Sequence, residues 1–241
     1  SRTSGAGGEP ASAEKLAAEG PGLKEGAAVP PINAELDKSD EAVRGLAAEL
    51  SSHPVFGEWL KNKDIIRRFV AAVDNIANGQ SPRPQLDFFS LRAPFKTVVR
   101  SGKTVIDPAS YDRYNVVADV FESLSAAGCG RLYESARPLL AQAYRELGYP
   151  RDDFHQTLLR AIVAVLRAPA VDEPIEVEKG VVSYIMKDPK LEDLDEVEKH
   201  LLRMGPENVQ LVQAKLREIA LALGFTEAQL PQPRIFRRSP S

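Results

Sequence analysis

Residues 201–225 constrain the fold more than any other part of the chain. Their sequence, LLRMGPENVQLVQAKLREIALALGF, holds a glycine–proline pair followed by a long run with apolar residues at helical spacing. Glycine can adopt the positive φ that ends a helix, and proline suits the first position of the next helix. Glu207 then adds a carboxylate at a positive helix N-terminus. The segment predicts two helices that meet at Gly205, the second of them long and amphipathic.

Composition excludes several classes of protein. The 241 residues are 43% hydrophobic and 27% charged, which is typical of a soluble chain with one core. A net charge of -3 leaves no positive excess for nucleic acid, and no helix concentrates lysine and arginine along one side. No apolar run approaches the roughly 18 residues of a membrane span. We therefore expect a soluble chain that does not bind nucleic acid.

The two ends of the chain differ from its middle. Residues 1–34 are rich in Gly, Ala, Pro, Glu and Ser and contain no aromatic side chain, which predicts a disordered linker. Residues 226–241 carry three prolines and three arginines around Ile235 and Phe236 and are predicted to be a C-terminal tail. The folded domain is then expected over residues 35–225.

Helical periodicity dominates that domain. Apolar residues recur every three or four positions in several segments, and each segment follows a side chain that can cap a helix N-terminus. The capping candidates are Ser39, Asp64, Asp107, Ser125, Asp152 or Asp153, and Asp188. Phe88, Phe89 and Leu91 lie in the loop region between the helix that follows Asp64 and the helix that follows Asp107. We expect their side chains to lie against the core.

Two segments have strand character. Residues 95–99 and 103–106 flank the turn-competent pair Ser101-Gly102 and predict a β-hairpin. Residues 174–186 alternate at Ile175 and Val177, so both strand and helix are tenable there, and we favour one short strand followed by a helix. The expected fold is mainly α: a single compact multi-helix domain with one small β-hairpin, between the linker and the tail.

No signature of chemistry accompanies this fold. His53, His155 and His200 are scattered and have no metal-ligand spacing. Cys129 lies between two glycines, where it is either a small packed side chain or an exposed, activated thiolate. The serines form no Gly-x-Ser-x-Gly elbow, and the glycines form no phosphate-binding loop. We expect no catalytic residue, no cofactor and no metal ion.

Six polar residues are the best candidates for a binding pocket. Each lies beside an apolar helix face, near the junction of two predicted elements. They are Arg68, Asp74, Arg113, Tyr114, Arg203 and Asn208.

Four short motifs resemble a known family when taken in order. They are IIRRFV with VDN at residues 65–75, YDRY at 111–114, ELGYP at 146–150 and LRMGPEN at 202–208. This combination resembles the bacterial domain-of-unknown-function family 3014. The resemblance implies one N-terminal transmembrane helix, a low-complexity linker and a helical domain outside the cytoplasm. It implies no activity and no site residues.

Two functions remain open on this basis. The first is a noncatalytic cell-envelope module that engages another envelope protein or a second copy of itself. It would be held at the bacterial inner membrane by an N-terminal anchor outside this chain, with the domain in the periplasm. The alternative is a small-ligand-binding protein or a hydrolase whose site is assembled from dispersed polar residues. The missing signatures favour the noncatalytic function.

Overall fold

Helices form most of the structure. The computed structural model describes residues 29–87, 93–149, 153–181 and 183–236. The α-helices in chain order are α1 (Asp40–Ala47), α2 (Pro54–Trp59), α3 (Ile65–Ala77), α4 (Asn115–Glu122), α5 (Ala126–Glu146), α6 (Phe154–Arg167), α7 (Pro189–Glu192), α8 (Glu196–Leu202) and α9 (Pro206–Ala222). Short 3-10 helices occupy Leu36–Lys38, Ala48–Leu50, Pro108–Tyr114 and Glu227–Gln229. The mainly α fold class is confirmed.

The joint between α8 and α9 forms as the glycine–proline pair predicts. Gly205 has φ 83° and ψ 157°, a backbone region that is essentially restricted to glycine, and Pro206 occupies the first turn of α9. Tyr111 packs so closely that a Cβ on Gly205 would lie 2.5 Å from its Cγ. Glycine is required here both for its backbone conformation and for its missing side chain.

Four of the predicted side-chain caps form as expected. Asp107, Ser125 and Asp188 accept hydrogen bonds from backbone N–H groups two or three residues on. Asp153 likewise accepts the N–H of His155 at the start of α6, whereas Asp152 lies outside the described residues. Local sequence is sufficient to place these helix starts.

Two predicted caps are wrong. The hydroxyl of Ser39 donates to the carbonyl of Leu36 and does not cap α1. Asp64 has a left-handed φ of 56° and does not cap α3 with its side chain. The carboxylate of Asp40, on α1, accepts the N–H groups of Asp64 and Ile65 at 2.8 and 2.9 Å. A residue distant in sequence therefore satisfies the start of α3.

The predicted hairpin is present. Strands β1 (Thr97–Arg100) and β2 (Lys103–Ile106) are antiparallel, with Thr97 opposite Ile106. Ser101 and Gly102 have φ angles of 48° and 75°, which gives the turn the twist that a two-residue hairpin favours.

Residues 174–186 form a second hairpin, so the predicted helix in that segment is wrong. Strands β3 (Val177–Lys179) and β4 (Tyr184–Met186) pair in antiparallel orientation. The N–H of Gly180 donates to the carbonyl of Ser183 and closes the turn. An isolated bridge joins Val105 to Glu176, which places the two hairpins side by side. Pairing with β2 supplies the backbone partners that a helix would otherwise provide.

The core has three parts. The main cluster lies among α1, α3, α5, α6 and α9; the second lies among α4, α8 and α9; and the third lies beneath the hairpins. Representative buried residues are Val70, Leu140, Tyr144 and Ile162 in the first, Ala118, Val197 and Val209 in the second, and Ile106, Ile175 and Leu191 in the third. Gly130 lets α5 approach α9, since a Cβ there would lie 2.5 Å from the carbonyl oxygen of Ala222.

Most of the predicted linker and part of the tail lie outside the described residues. At the N-terminal end the N–H of Ile32 donates to the carbonyl of Ser135 on α5. At the C-terminal end Leu230 is buried, and the N–H of Phe236 donates to the carbonyl of Ala170. Phe88, Phe89 and Leu91 also lie outside the described residues.

Candidate functional site

A large apolar cavity lies where α3, α4, α6, α8 and α9 converge. Its volume is about 490 Å³, within the range of small-molecule binding sites. The apolar lining residues are Phe69, Val73, Ile76, Pro82, Leu86, Val117, Phe121, Leu158, Ala161, Ile162, Val165, Val197, Leu201, Met204, Val212 and Leu216. Of the lining residues that the structure describes, four carry a polar or charged group: Arg83, Asp87, Tyr114 and His200.

The loop at residues 82–87 forms the exposed side of this cavity. Arg68, on α3, donates from Nη1 to the carboxylate of Asp87 at 2.7 Å and to the carbonyl of Gln85 at 3.0 Å. Asn75 lies about two turns further along α3 and donates to the side chain of Gln85 at 2.8 Å. These bonds hold the loop against α3, while Arg83 and Asp87 remain exposed. Arg68 therefore helps to position the part of the lining that this loop contributes.

Tyr114 and His200 form one wall. Their rings meet edge-on with centroids 6.0 Å apart. Among the described residues, the ring nitrogens of His200 have no hydrogen-bond partner, and the ring is only half-buried. Burial lowers the pKa of His200 to about 4, and the positive charges of Arg83, Arg203 and Arg113 add to that effect. His200 is consequently neutral at neutral pH and can donate or accept a hydrogen bond.

Arg113 and Arg203 lie near the same wall without lining the cavity. The guanidinium of Arg113 lies 5.4 Å from the ring centroids of both Phe95 and Tyr114, and its Nε donates to the carbonyl of Ser110. Arg203 follows His200 by three residues, and its Nη2 lies 3.5 Å from the carbonyl oxygen of Tyr184. Burial raises the pKa of Tyr114, while these two arginines and Arg83 oppose that rise. Three guanidinium groups thus contribute a positive potential at one end of the cavity.

Two of the six candidate residues lie elsewhere. The carboxylate of Asp74 accepts a long hydrogen bond from the hydroxyl of Tyr149 at 3.4 Å. Asn208 is buried, and its amide donates to the carbonyl of Met204 and to the side chain of Asn115. Asn208 borders a second cavity of about 320 Å³. Of the six candidates, Tyr114 lines the first cavity, and Asp74 and Asn208 lie away from it. Arg68 and Arg113 contact residues at its edge, and the charge of Arg203 acts on one of them, but none of these three arginines lines it.

Sequence reasoning missed His200 and Arg83. His200 has a signal in the sequence, because positions 197, 200, 201 and 204 follow helical spacing and His200 shares the stripe of Val197, Leu201 and Met204. Arg83 has none, since a loop between two prolines has no periodicity to indicate which way its side chain points. Its place at the cavity depends on the bonds from α3.

Other candidate groups have structural partners. Burial raises the pKa of the Cys129 thiol, an effect that Lys215 partly offsets, so the described environment favours the thiol over the thiolate. His53 accepts the N–H of Val55 at the start of α2, and His155 lies 2.8 Å from the hydroxyl of Tyr133. Among the described residues, no group of three or more His, Cys, Asp and Glu side chains is placed to hold a metal ion.

Fold and site together define a helical domain with an apolar cavity that is partly open to solvent. A family profile described as "Protein of unknown function (DUF3014)" matches residues 65–220, which is more than half of the chain. The protein belongs to this family, and all four motifs that carry the resemblance fall within the matched region. Comparisons with curated proteins and with solved structures found no match. In the part of the chain that the structure describes, no helix has the length and apolar character to cross a membrane.

Proposed function

We propose that this protein is a noncatalytic binding module that takes the apolar part of a ligand into the cavity among α3, α4, α6, α8 and α9. The observation that carries this proposal is the cavity itself, about 490 Å³ of space bounded almost entirely by hydrocarbon. The cavity is partly open to solvent, so its hydrocarbon lining stays in contact with water, and exposed apolar surface of this kind usually marks a binding site. Binding an apolar group removes that surface and the surface of the group from water.

The chemistry of the lining supports binding in preference to catalysis. Among the described residues, the lining includes no serine, threonine, cysteine or lysine that would act as a nucleophile. The one carboxylate among them, on Asp87, forms an ion pair with Arg68. The second function that the sequence leaves open is either a ligand-binding protein or a hydrolase. The chemistry of the lining favours the ligand-binding protein over the hydrolase.

The proposal also has a cellular setting. We place the domain in the bacterial periplasm, attached to the inner membrane, where it engages another envelope protein or a second copy of itself. The family resemblance and the low-complexity composition of residues 1–34 support this setting. Cell fractionation of the full-length protein, followed by crosslinking, tests it. A membrane-associated protein crosslinked to itself or to one recurring envelope protein is expected; a cytosolic protein without a crosslinked neighbour would contradict it.

Methyl chemical-shift mapping tests the binding function. Decan-1-ol is a suitable probe because it has an apolar chain and no charge. We expect it to shift the methyl signals of cavity residues such as Leu158, Val165 and Val212 and to leave those of the exposed Val99 and Leu221 unchanged. Shifts confined to exposed methyl groups, or no shifts at all, would contradict the proposed function.

A further inference from the structure

The three arginines at the Tyr114–His200 wall lack the ion pairs that other arginines of this protein form. Arg67, Arg68 and Arg217 each lie within 2.7 Å of a carboxylate oxygen. Among the described residues, neither Arg83, Arg113 nor Arg203 has a carboxylate oxygen within 4.0 Å. No carboxylate is therefore paired with them at ion-pair distance, although Arg203 contributes to the lowered pKa of Glu192 and so acts on one nearby acid.

These charges lie beside a hydrocarbon-lined space. Arg83 lines the cavity directly, and Arg113 contacts the face of Tyr114, which also lines it. The same three guanidinium groups act on both Tyr114 and His200, so their fields overlap at this wall. Charge interactions gain strength next to a low-dielectric region, and a cleft with one sign of charge attracts the opposite sign.

The wall also offers hydrogen bonds to an anion. Arginine presents donors in a planar fork that suits carboxylate and phosphate oxygens. The neutral His200 ring adds one N–H donor whose partner, among the described residues, is not another protein group. Asp87, the acidic residue of the lining, is already held by Arg68. The end of the cavity near Tyr114 and His200 is consequently suited to a negative headgroup.

We infer that the ligand is a single-chain amphiphile with an anionic headgroup, its chain in the apolar cavity and its headgroup at Arg83 and His200, where the nearby charges of Arg113 and Arg203 add to the attraction. This inference rests on the proposed binding function and adds the class of ligand and its orientation. A fatty carboxylate and an alkyl phosphate share the required chemistry, and the experiment below separates them.

Four probes with the same chain length test the inference. Decanoate, decyl phosphate and decyltrimethylammonium are titrated below their critical micelle concentrations, and decan-1-ol below its solubility limit, at a pH of about 8, where both acids are ionised. At least one of the anions is expected to bind about tenfold more tightly than decan-1-ol, which corresponds to one charge-assisted interaction. Preference for decanoate alone or for decyl phosphate alone supports the inference and identifies the headgroup.

A matched pair of variants ties the preference to the wall. Arg83→Gln removes one guanidinium whose side chain has no hydrogen-bond partner among the described residues, and Arg131→Gln removes an exposed one on α5, away from the cavity. Arg83→Gln is expected to reduce the advantage of the anion over decan-1-ol about threefold, whereas Arg131→Gln leaves it unchanged. Thermal unfolding of both variants verifies that the fold is intact.

Failure of the inference and failure of the proposed function give different results. If decan-1-ol or the cation binds as tightly as both anions, the cavity is a binding site but the inferred headgroup is wrong. An anion preference that Arg83→Gln and Arg131→Gln reduce equally also overturns the inference, because the charge effect is then not local. If none of the four probes binds, both the inference and the proposed function are contradicted.

Discussion

His200 and Tyr114 meet edge-on at the wall of the apolar cavity, with their ring centroids 6.0 Å apart. Tyr114 is almost fully buried. The guanidinium of Arg113 lies over the ring of Phe95. Burial and the positive charges of Arg83, Arg203 and Arg113 disfavour the protonated form of His200, which gives the protein a measurable dependence on pH.

The free energy of unfolding is expected to fall as the pH decreases from about 6.5 to about 4. The pKa of His200 is about 4 in the fold, below its ordinary value of 6.5, so the unfolded state binds more protons between these values. The stabilisation by neutral His200 is complete above the unfolded pKa and is lost as the pH approaches the folded one. Between about pH 7 and about pH 5 the free energy of unfolding is expected to fall by about 1 kcal/mol. A fully buried ring would give a larger fall, but the half-buried ring of His200 keeps contact with solvent.

Urea unfolding of the wild type and of His200→Gln measures this effect. Carboxylates such as Glu176 and Glu192, whose pKa values are lowered by partners, also reduce stability in acid, so the difference between the two proteins isolates the histidine. The wild type should lose more stability than the variant over this range. A His200 ring that titrates near 6.5 by NMR would show that this environment is wrong.

Gly205→Ala is expected to destabilise the fold by about 3 kcal/mol, because backbone strain and overpacking combine. The new Cβ would meet the ring of Tyr111 at 2.5 Å. Gly224 provides the matched control: its φ is 89°, yet a Cβ there would meet nothing within 4 Å. Gly224→Ala should cost only the backbone term of about 1 kcal/mol. Equal losses for the two variants in denaturant unfolding would show that contact with Tyr111 is unimportant.

Asp40→Ala is expected to destabilise the fold by about 1–2 kcal/mol, because the first N–H groups of α3 lose their acceptor. The carboxylate of Asp40 currently accepts from both Asp64 and Ile65. Glu41→Ala removes an exposed carboxylate from the same first turn of α1 and should change stability by less than about 0.5 kcal/mol. If hydrogen exchange at Ile65 is not faster in Asp40→Ala, the cap has been assigned wrongly.

Leu216→Trp is expected to abolish binding of decan-1-ol, because Leu216 lines the cavity and the larger indole would occupy it. Leu221→Trp makes the same substitution at a 42% exposed position of α9 and should leave binding intact. Methyl chemical-shift mapping compares the two proteins. Undiminished binding by Leu216→Trp would place the ligand somewhere other than this cavity.

Local sequence predicts the elements whose hydrogen bonds are local. The Ser101-Gly102 turn, the Asp107 and Ser125 caps and the Gly205 joint all depend on residues within a few positions of each other. The start of α3 depends on Asp40, which lies 24 residues away, and no pattern in the sequence indicates that distance. The hairpin of β3 and β4 likewise depends on its neighbour β2, and the short segment is ambiguous without it.

The candidate residues show the same division between local and tertiary information. Asp74 follows Val73, a cavity residue, but successive helical positions point about 100° apart, so it faces Tyr149. Asn208 shares the stripe of Val212 and Leu216 but lies one turn beyond the cavity. Arg113 and Arg203 reach one wall from different elements, an arrangement that only packing reveals. Helical phase predicts which face a side chain occupies, and tertiary contacts decide what that face meets.

The most direct measurement is a crystal structure of this protein with decanoate or decyl phosphate, whichever binds more tightly in the titrations. The account predicts an alkyl chain among Val117, Leu158 and Val165, with headgroup oxygens within hydrogen-bond distance of Arg83 or His200. An empty cavity at a saturating concentration of that ligand, or a chain bound only on the outer surface, would contradict it.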